Sequence, residues 1–113
     1  MPTDQLSDIF AALADPTRRA LLQRLSEGDA NVAQLAEPFT MSQPAVSKHL
    51  RVLESAGLIT RERRATARYS HLQAAPLKQA SEYMDRYRQF WNDSFDKLDA
   101  ALAAFTDKEP DNA

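Results

Sequence analysis

Four arginines, Arg61, Arg63, Arg64 and Arg68, fall within eight residues, and only Glu62 offsets them there. Just upstream, Ser42, Gln43, Pro44, Ser47, Lys48, His49 and Arg51 make a run of small, polar and basic side chains. Guanidinium and ammonium groups meet phosphate oxygens, and a Gln amide pairs with an adenine edge. The chemistry on offer is recognition of a polyanion. Catalysis finds little to work with. The two histidines, His49 and His71, are far apart, the carboxylates are scattered, and no glycine-rich phosphate loop exists. No enzyme activity is expected. With no cysteine there is no thiolate metal site, disulfide or thiol switch. Neither histidine has a partner at ligand spacing, so neither a metal nor another cofactor is expected.

The net charge of −2 conceals a basic middle. Between Pro16 and His71, nine Lys/Arg stand against five Asp/Glu, while the segments on either side are net acidic. Such a middle suits nucleic acid. The plainer account, a chance variation of solvated faces, is not excluded by charge alone. The 113 residues suffice for one small domain, whose modest core would gain from oligomerisation. No apolar run approaches the length of a membrane span, and MPTDQLSDIF lacks the basic-then-apolar pattern of a signal peptide. No membrane partner and a cytoplasmic location are therefore expected.

The elements that must position these residues follow from periodicity. Leu6, Ile9, Phe10 and Leu13 give a first amphipathic helix. Asp15-Pro16 starts a second, with Leu21, Leu22 and Leu25 inward and Gly28 at its end. A short third helix starts at Asn31 and closes near Pro38. Ser42 caps a fourth, with Pro44 in its first turn, Met41 and Val46 as a hydrophobic staple, and Gly57 ending it. Winding that helix puts Val46, Leu50 and Leu53 on one face and Pro44, Lys48, Arg51 and Ser55 opposite. Leu58–Arg63 and Arg68–Leu72 read as two strands joined near Ala65-Thr66-Ala67. From Pro76 one long helix is predicted, striped by Leu77, Ala80, Met84, Tyr87, Trp91, Phe95, Leu98, Leu102 and Phe105, with Tyr83 and Phe90 widening the stripe. Some thirty residues would span about 45 Å, more than so small a domain covers. The fold class predicted is mainly α with a small β-hairpin, in the order ααααββα, a winged helix-turn-helix with a long C-terminal dimerisation helix. One domain is expected over residues 1–105. Residues 1–14 and 74–105 would form dimerisation helices, 16–72 a DNA-binding core, and 106–113 a disordered tail.

LADPTRRALLQRL, then NVAQLAEPF, then MSQPAVSKHLRVLESAGLI, then the Arg-rich hairpin, strongly resemble the ArsR/SmtB family of bacterial winged-helix repressors. The resemblance covers Leu6 to Tyr69. It implies a homodimer built on the first and last helices, with Leu6, Phe10, Tyr83, Tyr87, Phe90, Trp91, Phe95, Leu98 and Leu102 as contacts. It implies binding of a palindromic operator in double-stranded DNA and repression of transcription. By position, Val32–Phe39 and Ser42–Gly57 would be the helix-turn-helix and Arg61–Tyr69 the wing. PFTM and the wing tip both lack a glycine common in the family. The family's metal sites need cysteines, or histidines on the final helix, and this chain has neither.

A repressor with another signal, or none, remains. Tyr83, Tyr87, Phe90, Trp91 and Phe95 offer lining for an unidentified small-molecule effector between subunits, although aromatics at helical spacing more commonly make core or dimer contact. Two rivals stand beside this reading. One is a protein-interaction module that uses the long helix. The other is RNA binding, which fits less well, because the fourth helix suits a DNA major groove better than the deep, narrow groove of RNA.

Overall fold

The computed structural model describes residues 4–108. The described residues fall into two compact units, one ending at residue 80 and the other beginning at residue 81.

The first unit opens with α1, Gln5–Leu13, capped by Asp4, whose carboxylate accepts from the Ser7 N–H at 2.7 Å. Asp15 does the same for α2, Pro16–Leu25, accepting from the Arg18 N–H at 2.9 Å, with Pro16 in the first turn where its missing N–H costs nothing. β1, Ala30–Asn31, is a two-residue strand that hydrophobic patterning does not reveal. Asn31 then caps α3, Val32–Ala36, through a capping box with Gln34. This helix stops at Ala36, short of Pro38.

α4, Gln43–Ser55, is capped by Ser42. Its end is a Schellman motif. Gly57 sits at φ 80°, its N–H bonds Glu54 O, and the Leu58 N–H bonds Leu53 O. Leu53 and Leu58, both fully buried, complete the motif's apolar contact. β2, Ile59–Arg64, and β3, Ala67–Leu72, form the hairpin. Their ladder runs to Arg64 opposite Ala67, leaving a two-residue loop. Ala65 takes the positive φ, 55°, that such a loop normally assigns to glycine. β1 pairs antiparallel with β3, giving a three-stranded sheet in the order β1-β3-β2.

The core gathers Ile9, Leu21, Leu35, Val46, Leu50, Leu53, Leu58 and Ile59, all essentially buried. Met41, Phe10, Leu72 and Leu77 pack around it, so the expected staple residue Met41 lies on the core with Val46.

The predicted single long helix is two helices. α5 spans Ala74–Asp85 and α6 spans Arg88–Lys108. At the break, the Arg86 and Tyr87 N–H groups bond the carbonyls of Tyr83 and Met84, three residues back instead of four. No proline or glycine marks the place, so the sequence gives no sign of it. Within the second unit, α6 carries its apolar residues outward: Phe90 is 74% exposed, Phe95 63% and Phe105 65%. Thr106 to Lys108, expected in the tail, are helical; residues 109–113 lie outside those described.

Candidate nucleic-acid interface

α4 presents two chemically different faces. Val46, Leu50 and Leu53 are wholly buried, while Ser42, Gln43, Pro44, Lys48 and Arg51 are exposed and Ser47 is half-buried. The Ser42 hydroxyl accepts from the Ala45 N–H at 3.3 Å, which orders the N-terminal turn beside Gln43. An open groove of about 560 Å³ runs between α1 and α4, lined among others by Asp8, Arg18, Lys48, Arg51, Val52 and Ser55.

His49 faces elsewhere. Expected on the DNA-contacting surface, its half-buried ring turns toward α2. Its Nδ1 lies 3.3 Å from Arg18 Nη1 and 3.8 Å from Asp15 Oδ2. Arg18 is pinned further by donating from Nε to Ala12 O at 2.7 Å and from Nη2 to Ala11 O at 3.0 Å. Asp15 is held below the ordinary carboxylate pKa, chiefly by the Arg18 N–H that it accepts and also by the charges of His49 and Arg18.

The hairpin is also two-faced. Side chains alternate along a strand, and Arg61 opposes Ser70 while Arg63 opposes Arg68. Arg61, Arg63 and Arg68 therefore share one face with no acid on the hairpin beside them. Arg61 is half-buried. Burial, then the charge of Arg68 and to a lesser extent that of Arg51, holds its pKa below the ordinary arginine value, with Glu54 opposing. Arg61 Nε and Ser70 Oγ are buried without a hydrogen-bond partner among the described residues.

Arg64 points to the opposite face, a departure from a uniformly basic wing. It donates to Asp29 at 2.6 Å, lies 3.5 Å from Glu62, and sits over the Tyr69 ring at 5.1 Å. Asp29 also accepts from His71 Nδ1 at 2.7 Å. Those two bonds, that of His71 first, hold the Asp29 carboxyl below its ordinary pKa. Sequence reasoning identified Asp15 as a helix cap but missed its place beside His49, and missed Arg18 and Asp29. Their only signal was the DPTRR motif and a turn-forming GDAN; neither announces a partner thirty or more residues away.

The expected dimer contacts fall in two places. Leu6 and Phe10 are half-buried on α1. Tyr87, Phe90, Trp91, Phe95, Leu98 and Leu102 are exposed, and Tyr83 is half-buried. Tyr83 and Tyr87 form a tilted pair with ring centroids 5.8 Å apart. Among the described residues no group of three or more His, Cys, Asp or Glu is placed to hold a metal ion, and no helix is long and apolar enough to cross a membrane.

The comparisons agree with this geometry. Residues 15–61 match the family described as bacterial regulatory protein, arsR family. The transcriptional repressor SdpR of Bacillus subtilis is 34% identical over 79 residues, covering 70% of this chain and 88% of SdpR. The HTH-type transcriptional regulator Rv2034 of Mycobacterium tuberculosis is 40% identical over 78 residues, covering 69% of this chain and 73% of that protein. A crystal structure of an ArsR family transcriptional regulator superposes with a TM-score of 0.73 at 39% identity, covering 79% of this chain and 98% of the other. Helix-turn-helix, hairpin wing and sequence together lead to one conclusion: this chain belongs to the ArsR family of bacterial regulatory proteins, winged helix-turn-helix regulators of transcription.

Proposed function

We propose that the chain is a homodimeric repressor that binds a palindromic operator in duplex DNA, with α4 in the major groove and the wing against the backbone. The observation that carries this reading is the division of α4 into a fully buried apolar face and an exposed face of Ser42, Gln43, Lys48 and Arg51. Short side chains allow close approach, Lys48 and Arg51 suit phosphates or guanine edges, and the Gln43 amide suits an adenine edge. Arg61, Arg63 and Arg68 add a basic face suited to backbone contact. Repression is supported by the similarity to SdpR, a transcriptional repressor. The exposed apolar stripe of α6 supports self-association, since a stripe this extensive is otherwise left in water. A two-fold dimer would set two recognition helices about one helical turn, roughly 34 Å, apart.

The test is fluorescence anisotropy with duplex from upstream of the protein's own gene, against scrambled duplex, over a salt series. Tight, salt-steep binding to the first alone is expected. No binding to either at low salt would instead favour the α6 stripe as a surface for a different protein. Mass measurement then decides between a homodimer and a monomer that pairs only with that partner.

A further inference from the structure

We infer that Arg18 is a positioning residue for sequence reading: through His49 it fixes the rotation of α4 about its own axis. This rests on the reading of α4 as the DNA-facing helix.

The last carbonyls of a helix have no partner within it. Arg18 donates to two carbonyls at the end of α1: to Ala12 O through Nε, and through Nη2 to Ala11 O, which also accepts from the Ala14 N–H. A guanidinium is planar and rigid, so two anchored N–H bonds dictate where the third points. That third direction, from Nη1, meets His49 Nδ1 at 3.3 Å. A contact in this sense requires Nδ1 as acceptor, which places the ring proton of the neutral imidazole on Nε2. Asp15 orders the backbone from which Arg18 reaches, since its carboxylate accepts the Arg18 backbone N–H at 2.9 Å.

The consequence lies in where His49 sits. It stands between Lys48 and Arg51, and one residue of helix is about 100° of rotation. Packing of Val46, Leu50 and Leu53 holds α4 on the core, but apolar contact is non-directional and tolerates small rotation. A hydrogen bond is directional. Fixing the His49 ring therefore fixes the azimuth at which Lys48, Ser47 and Arg51 leave the helix, and does so from α1. Arg18 needs no contact with DNA to affect which sequence is read.

The test uses the full chain with Arg18→Lys, His49→Phe, the double variant and His49→Gln, whose amide restores an acceptor. Three quantities are read: the ratio of binding to the upstream duplex over the scrambled duplex, the salt slope, and the melting temperature. Arg18→Lys and His49→Phe should each lower the ratio by about tenfold, near the scale of one charge-assisted hydrogen bond. The salt slope should stay as in the wild type, the double variant should be no worse than either single one, and His49→Gln should keep most of the ratio. Melting temperatures close to the wild type separate positioning from folding. Multiplying losses in the double variant, an unchanged ratio, or a salt slope reduced by about one in Arg18→Lys would overturn the inference. The ¹⁵N resonance of His49 Nδ1 judges it without DNA. Arg18→Lys must shift that resonance and the α4 amides, and no shift overturns the inference. Equal binding of wild type to both duplexes would sink the DNA reading instead, leaving the ring resonance to decide on Arg18.

Discussion

α4 and α6 have similar apolar spacing and opposite fates. In α4 the stripe of Val46, Leu50 and Leu53 is wholly buried, and the remaining surface is polar. In α6 the stripe of Trp91, Phe95, Leu98, Leu102 and Phe105 is 43% to 65% exposed in the single chain. Periodicity reports that a helix has a face to bury; it does not say which molecule supplies the cover. One helix is held by its own chain and leaves its polar side for a ligand. The other carries its apolar side exposed within its own unit, which is the observation behind the proposed self-association.

Substitutions should separate the two cases. The largest effect is expected from Leu50→Ala, which leaves a cavity in a closed core and should cost about 2–5 kcal/mol in denaturant unfolding. An equal cost from Phe95→Ala in the isolated monomer would erase the contrast. Next, Trp91→Ala should weaken self-association by tenfold or more while leaving the secondary structure intact, as read by sedimentation at low concentration. Unchanged mass would remove α6 from the interface. Arg51→Ala should flatten the salt dependence of DNA binding by about one counterion, whereas Arg64→Ala, already paired with Asp29, should change it less. Equal slopes for the two would contradict the two-faced wing. Ala65→Gly should stabilise the chain by up to ~1 kcal/mol by relieving a left-handed alanine, seen as a higher melting temperature.

The smallest effect concerns pH. Asp29 has its folded-state pKa lowered, so its contribution is present above the ordinary value of 3.8 and is lost as pH falls through the lower folded value. Asp29→Asn should therefore show a shallower loss of melting temperature below about pH 4. An identical acid limb would show that the His71 and Arg64 contacts add nothing to stability.

Much of this molecule is legible in the sequence because its signals are local. Asp15-Pro16, Ser42 and Gly57 mark helix ends through caps that depend on a few neighbouring residues, and the inward face of α4 follows from helical winding. The hairpin is visible as a change of period, and its register then assigns Arg61, Arg63 and Arg68 to one side. What escapes is non-local or energetically slight. The break at Arg86-Tyr87 has no breaker residue. β1 is too short to show a pattern. The roles of Arg18, His49 and Asp29 depend on partners brought close only by the fold; for this reason His49 and Arg64 stood among the expected DNA contacts with no sign of Arg18 or Asp29 beside them.

β1 deserves its mechanical due despite its length. Ala30 and Asn31 pair with Ser70 and Tyr69, and Asn31 is also the cap of α3. The rear strand of the wing is thus lashed to the first helix of the helix-turn-helix by a shared rung. An isolated hairpin would flap as a free paddle. This one is an outrigger. Torque applied at its tip passes through β1 to the start of α3.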